Sequence, residues 1–195
     1  MKKVFRRSAS GDSGQTLLEF ALVVPLLLVV VLGVVEVGYA LLDQHVVTKL
    51  SREGSNLISR DTSLADAATA MRSMSSRPVD FNNGASKVIF SVVKKVSTTT
   101  ATNYNKAVLY QRYEYGSYSG TSMLNNSGGA FGPSPEFQAA NSDNDSRLVV
   151  TNVPSTMAVG GLLYVTEIYS RHPLITPFDR FGVQMPTTLY SIAYF

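Results

Sequence analysis

Residues able to do catalytic chemistry are few in this chain and form no recognisable catalytic set. There is no cysteine, which excludes disulfides, zinc–thiolate sites and cysteine nucleophiles. The two histidines are far apart, with His45 in an apolar-patterned segment and His172 directly before Pro173. No Gly-x-x-x-x-Gly-Lys-Ser/Thr loop is present to bind nucleotide phosphates. We therefore expect a chain that is not an enzyme.

Carboxylates and amides cluster once, as Asn141, Asp143, Asn144 and Asp145. Oxygen ligands of this kind suit calcium, but the spacing lacks the glycine and the distal glutamate of an EF-hand loop. A solvated turn is the preferred interpretation. The net charge of +3 is too small to indicate nucleic-acid binding. We expect no metal, no cofactor and no nucleic-acid partner.

The strongest feature is an apolar segment near the N-terminus. Residues 20–35 contain 16 positions without a charge, and residues 17–42 are apolar apart from few interruptions that include Glu19 and Glu36. Such a length can cross a bilayer, which takes about 20 residues. A signal peptide would need a better cleavage site than residues 38–40 provide. A buried core helix would not be apolar on all sides in so small a chain. We interpret the segment as a membrane anchor.

The charges around this segment predict its orientation. Four basic residues precede it, namely Lys2, Lys3, Arg6 and Arg7, whereas the charges that follow it are mixed. The positive-inside rule then places the N-terminus in the cytoplasm and the bulk of the chain outside.

Glu19 is a carboxylate at the edge of a lipid-facing helix, where an unpaired charge is costly. The sequence Gly14-Gln15-Thr16-Leu17-Leu18-Glu19-Phe20 lies between the basic residues and the apolar run. It resembles the prepilin-peptidase site of type IV pilins, which are cut after a glycine and have glutamate as the fifth residue of the product. The resemblance implies a basic leader over residues 1–14, cleavage after Gly14 and a new amine on Gln15. Glu19, about 6 Å further along the helix, could pair with the amine of an adjacent subunit.

Three further stretches resemble the TadE-like minor pilins of the tight-adherence (Tad) system. Residues 19–27 (EFALVVPLL) resemble the start of that family's helix, residues 33–38 (GVVEVG) its G-x-x-E-x-G step, and residues 51–54 (SREG) its A-R-E-G motif. The family usually continues with Ala-Arg where this chain has Ser55 and Asn56. Residues 163–169 and 173–177 resemble, more loosely, a closing strand followed by a P-L-x-x-P turn.

This resemblance implies a minor pilin or pseudopilin of the bacterial inner membrane. It would be a structural or priming subunit of a Tad-type pilus or secretion system, with prepilin peptidase and other pilin subunits as partners. The alternative is a bitopic membrane-anchored binding or adhesion domain that takes no part in a filament. A mature protein beginning at Gln15 would favour the pilin, one beginning at Met1 the bitopic anchor, and one beginning near Asp43 a secreted protein.

Four positions in the apolar helix are candidates for helix packing: Pro25, Gly33, Glu36 and Gly38. Pro25 removes a backbone donor and predicts a kink. After cleavage, Glu36 would lie about 32 Å from the new N-terminus, near the outer face of a hydrocarbon core about 30 Å thick. The preferred interpretation of Glu36 is a carboxylate that reaches water. The other is a helix-packing contact aided by the two glycines.

The remainder of the chain predicts an α+β domain. An amphipathic pattern extends the helix to residue 60, and residues 61–63 offer a cap for a second helix that ends at Met74. Strand patterns cover residues 87–96, 107–115, 147–151, 162–170 and 187–195, and a long Gly/Ser/Asn/Pro-rich loop covers 116–146. We predict a pilin-like fold in which residues 15–60 form one hydrophobic helix, transmembrane and then continuing outside. That helix packs on a C-terminal antiparallel sheet within an extracytoplasmic domain of residues 61–195.

Overall fold

A computed structural model describes residues 12–182 and 184–195. The elements are α1 (Asp12–Ile58), α2 (Leu64–Met74), β1 (Ser86–Lys95), β2 (Ala107–Tyr115), β3 (Leu162–Arg171) and β4 (Thr188–Tyr194), with short 3-10 turns at Ser146–Leu148 and Pro177–Phe181. The second half of α1 packs on the sheet formed by the four strands. The predicted α+β fold, a long N-terminal apolar helix with a C-terminal antiparallel sheet, is confirmed. The basic residues of the predicted leader, Lys2, Lys3, Arg6 and Arg7, lie outside the described residues.

The first helix is continuous over 47 residues and includes Pro25. It ends shortly before Asp61, whose φ of 59° turns the chain out of the helical path. The second helix starts after Ser63, whose hydroxyl accepts a hydrogen bond from the Asp66 backbone N–H at 3.1 Å. The predicted second helix, its capping region and its end at Met74 are confirmed.

The sheet has the order β2-β1-β3-β4, and each neighbouring pair is antiparallel. The strand predicted at residues 147–151 is wrong. There the chain forms the 3-10 turn Ser146–Leu148, and Val149 makes an isolated bridge to Val108 of β2. Asp145 caps that turn by accepting from the Arg147 backbone N–H, and Leu148 is buried. The apolar character of this segment therefore comes from a turn with a buried side chain and not from a strand.

One face of the sheet packs on α1 and α2. The core between them combines apolar side chains of both helices, of the segment between α2 and β1, and of β1, β3 and β4: Val47, Leu50, Ile58, Leu64, Ala67, Ala68, Met71, Val79, Phe81, Val88, Phe90, Val92, Ile168 and Leu189. This burial is the main attachment of the domain to the helix, because apolar area removed from water is the dominant stabilising contribution.

Part of the long loop 116–146 covers the opposite face of the sheet. Its Leu124 and Ala139 are buried in a second apolar core together with Val93, Leu109 and Val165. A buried carboxylate holds the start of the loop, because Glu167 on β3 accepts hydrogen bonds from the loop's Met123 backbone N–H at 2.7 Å and its Ser122 hydroxyl.

Glu167 also accepts a hydrogen bond from the Tyr190 hydroxyl of β4 at 2.9 Å. Burial and the neighbouring carboxylate raise the pKa of Tyr190, which keeps that hydroxyl a donor. Glu167 therefore ties the loop and the edge strand β4 to β3, and this role is structural.

A buried hydroxyl in the first core gives a testable stability prediction. Thr166 is fully buried, and its Oγ1 has no hydrogen-bond partner among the residues that the structure describes. Since Thr166→Val keeps the shape and removes the unpaired polar group, we expect it to raise the free energy of unfolding by about 1–2 kcal/mol. Unfolding of the full chain in detergent by heat or denaturant measures this.

The control for this variant is Ser170→Ala on the same strand. Ser170 is equally buried, but its hydroxyl is hydrogen-bonded to the Pro78 carbonyl at 3.1 Å and to Ser86 at 2.9 Å. We expect Ser170→Ala to lower stability. A Thr166→Val protein that loses stability to the same degree would contradict the argument.

Candidate functional site

The N-terminal end of α1 carries the residues predicted for processing and subunit pairing. Gln15 and Glu19 are exposed, and the Gln15 side-chain amide donates to Glu19 Oε1 at 3.1 Å across one helical turn. Among the described residues, a Cβ added at Gly14 would meet nothing within 4 Å. The three residues therefore lie together near the start of α1, with the carboxylate hydrogen-bonded to an amide of its own chain.

The apolar half of α1 that follows is exposed on every side. Its large side chains retain between 39% and 72% of their accessible surface from Leu17 to Val31, including Phe20 and Val24. Contiguous exposed apolar patches on soluble monomers rarely exceed a few hundred Å². Among the described residues, α1 is the one helix that is long and apolar enough to cross a membrane. The surface requires either lipid or other apolar helices around it.

The exposed half gives way to the packed half at residues 33–36. A Cβ at Gly33 would lie 3.8 Å from Phe178 Cζ in the turn Pro177–Phe181. One turn later Glu36 is 1% exposed, and beyond it Val47 and Leu50 enter the core. Of the four predicted packing positions, Gly33 and Glu36 thus face the chain's own domain. Pro25 is exposed, and a Cβ at Gly38 would meet nothing within 4 Å.

Glu36 does not reach water, so the preferred interpretation from the sequence is wrong. Its carboxylate accepts hydrogen bonds from the backbone N–H of Thr176 at 2.8 Å, from the Thr176 hydroxyl at 2.5 Å and from the Ile175 N–H at 3.2 Å. These donors belong to the P-L-x-x-P turn at residues 173–177, which wraps the carboxylate. The sequence could not show this contact, because the partners are 139 and 140 residues apart.

His172 joins two side chains of α1 to the same turn. Its Nδ1 is 2.7 Å from Asp43 Oδ2, and its Nε2 is 3.3 Å from Glu36 Oε1, off the geometry of a hydrogen bond. His172 and Glu36 are both buried. The group contains a histidine between two carboxylates, and the neighbouring Thr176 hydroxyl is engaged as a donor to Glu36. The group is suited to fastening the domain to the helix.

Small residues set the distance between α1 and the sheet in the S-R-E-G stretch. Ser51 and Ser55 are buried and bond to β4, through the Ser191 hydroxyl at 2.8 Å and the Ala193 carbonyl at 2.9 Å. A Cβ at Gly54 would lie only 2.7 Å from Thr166 Cγ2. Arg52 and Glu53, between them, are exposed. The motif therefore has a packing face of small residues and a charged outer face.

A further bond from α1 reaches the same edge strand. Gln44 donates its side-chain amide to the Tyr190 carbonyl of β4 at 2.9 Å. Together with the bond from Ser55, it places side chains of the helix along most of that strand.

The acidic cluster at residues 141–145 is occupied by cations of the chain itself. Asp143 Oδ1 is 2.6 Å from Lys94 Nζ, and this hydrogen bond lowers the pKa of Asp143. Asp145 is paired with Arg147 at 2.8 Å. The cluster thus holds the end of the long loop against β1 and the following turn.

Comparison with known proteins finds one family. A family model described as TadE-like protein matches residues 14–56. The matched segment runs from near the start of α1 through its exposed apolar half to the packing face of small residues. No curated protein and no solved structure matches the chain. Residues 14–56 of this chain are therefore similar to the TadE-like family.

Proposed function

We propose that this protein is a minor pilin or pseudopilin, a structural or priming subunit of a Tad-type pilus or secretion system. It is cleaved after Gly14 by prepilin peptidase and has no enzymatic activity of its own. The observation that carries the proposal is the open, wholly apolar half of α1 with Gly14, Gln15 and Glu19 at its end, inside the segment that matches the TadE-like family.

Two environments suit this helix in turn. In the bacterial inner membrane its apolar surface is solvated by lipid, with the N-terminus in the cytoplasm and the domain outside. In an assembly the same surface packs against the helices of other subunits. Because the domain covers α1 only from about residue 33 onward, the first half stays available for both.

Glu19 changes its partner on processing. In the uncut chain the Gln15 side chain satisfies the carboxylate. Cleavage after Gly14 gives Gln15 a cationic backbone amine, which is a stronger partner for a carboxylate in an environment of low dielectric constant. Pairing between the amine of one subunit and Glu19 of another would fix the axial position of adjacent helices.

The mature N-terminus tests the proposal. We expect the protein expressed with a prepilin peptidase to begin at Gln15, and we expect Gly14→Ala to abolish this cleavage, since the added methyl lies at the scissile residue. N-terminal sequencing or intact mass of the purified chain measures both.

The matched control is Gly38→Ala. A Cβ at either glycine meets nothing within 4 Å, so both variants should fold alike, and Gly38→Ala should be cut normally. A wild-type protein that begins at Met1, or normal cleavage of Gly14→Ala, would overturn the processing argument.

A further inference from the structure

The loop after β3, residues 173–182, lies beside the part of α1 expected within the bilayer. A hydrocarbon core of about 30 Å corresponds to about 20 helical residues. If Glu19 marks one edge of that core, Tyr39 marks the other. Glu36 and Gly33 then lie about 5 and 9 Å inside the far edge. The residues that contact them, Thr176 and Phe178, would be at the same depth.

Four backbone positions of the loop meet the requirement that such a depth sets. Polar backbone groups in hydrocarbon must be satisfied within the protein. The N–H groups of Ile175 and Thr176 donate to Glu36. Pro173 and Pro177 have no N–H to satisfy, and Pro177 begins a 3-10 turn.

At this depth Glu36 and the loop satisfy each other's hydrogen-bonding groups. A lone carboxylate inside a membrane is costly and is normally paired, and here the loop supplies its donors. An α1 helix that entered the bilayer as far as Glu36 without the loop would carry an unsatisfied charge. The helix and the loop are therefore expected to enter together.

The surface around the loop has the composition of a membrane interface. Ile175 is 52% exposed, and Tyr39 and Leu42 beside it on α1 are also exposed. Together with Asp43, Arg77 and Pro173, these residues line a half-open cavity of about 210 Å³. Arg77 and Arg171, at this end of the domain, are exposed. Tyrosine and arginine next to exposed aliphatic side chains are typical of positions at lipid headgroups.

We propose that residues 173–178 insert into the leaflet on the domain's side, with Ile175 among the acyl chains and Arg77 and Arg171 at the headgroups. The domain would then contact the bilayer at a second place besides α1 and would be held close to the membrane surface. This inference rests on the proposed membrane anchor.

Single tryptophans test the depth, because the chain contains none. The full chain carrying Ile175→Trp is reconstituted in phosphatidylethanolamine–phosphatidylglycerol vesicles, with and without bromine on the acyl chains. We expect brominated lipid to quench most of its fluorescence. Val159→Trp, at an exposed position near the opposite end of β3, should be hardly quenched. Leu26→Trp, in the exposed apolar half of α1, should be strongly quenched.

The three sites separate this inference from the anchor on which it rests. Quenching at residue 26 but not at 175 would overturn the inserted loop and leave the anchor standing. Quenching at neither would overturn both. Unfolding in detergent verifies that Ile175→Trp retains its fold. A second probe is Ile175→Cys, the sole cysteine of its chain, whose polarity-sensitive label should shift to shorter wavelength on reconstitution, whereas an unchanged spectrum would contradict insertion.

Discussion

Glu36→Ala is expected to lower the free energy of unfolding by about 3–5 kcal/mol, the range for removing one member of a buried charged network. The substitution deletes the acceptor for three donors at Ile175 and Thr176 and leaves His172 with Asp43 alone. Denaturant or thermal unfolding of the full chain in detergent measures the loss. Limited trypsin digestion should also show faster cutting after Arg180, because the loop is no longer held.

The matched control is Glu53→Ala on the same helix. Glu53 is exposed, so its replacement should change stability by less than about 0.5 kcal/mol. The loss of unfolding free energy in Glu36→Gln should lie between those of the two alanine variants. One side-chain oxygen still accepts a hydrogen bond, but the new amide group faces backbone donors. Equal stability of Glu36→Ala and Glu53→Ala would show that the contact with the turn contributes nothing.

Gly54→Leu is expected to lower the free energy of unfolding by about 3 kcal/mol or more through overpacking. Even the first added carbon would lie 2.7 Å from Thr166 Cγ2 and 3.3 Å from Phe90 Cε1. Both neighbours are fully buried, so relief requires the helix and the sheet to move apart. The same unfolding measurement applies, and loss of the near-ultraviolet circular dichroism of the buried aromatic residues would report the loosened core.

Gly38→Leu is the control for this substitution. A Cβ at Gly38 meets nothing within 4 Å, and leucine favours the helix over glycine by up to about 1 kcal/mol. We expect neutral or slightly raised stability. If both leucine variants lost the same amount of stability, the loss would come from the helix itself and not from its contact with the sheet.

The elements with a local signal were predictable from the sequence. Residues 107–115 alternate regularly, and β2 has those bounds. The second helix carries its own cap at Ser63. Residues 147–151 share the apolar character of a strand, yet Leu148 serves as an anchor in the second core and Val149 makes a single bridge to β2. A short apolar run does not reveal whether a partner strand is available on both sides.

The candidate site was predictable to the extent that its residues are neighbours in the sequence. Gly14, Gln15 and Glu19 lie within two helical turns, so their proximity needs no tertiary information. Glu36 lacks such neighbours, and its partners arrive from beyond residue 171. The available signals were a carboxylate inside an apolar run and a histidine directly before a proline-bounded turn. Neither feature identifies the other as its contact partner, because residues that are far apart in the sequence have no regular spacing that would predict their contact.

Hydrogen bonds from other parts of the chain cover both edge strands of the sheet, and this affects how copies of the protein can associate. Open edge strands offer unpaired backbone groups to other chains. Gln44 and Ser55 of α1 donate to carbonyls of β4. On the other side, Arg112 of β2 bonds with Phe137, and Tyr110 of β2 bonds with Ala139 of the long loop. Within the described part of the chain, both outer strands are thus shielded against the addition of a foreign strand. Polymerisation by sheet extension is therefore disfavoured, whereas the apolar half of α1 stays exposed.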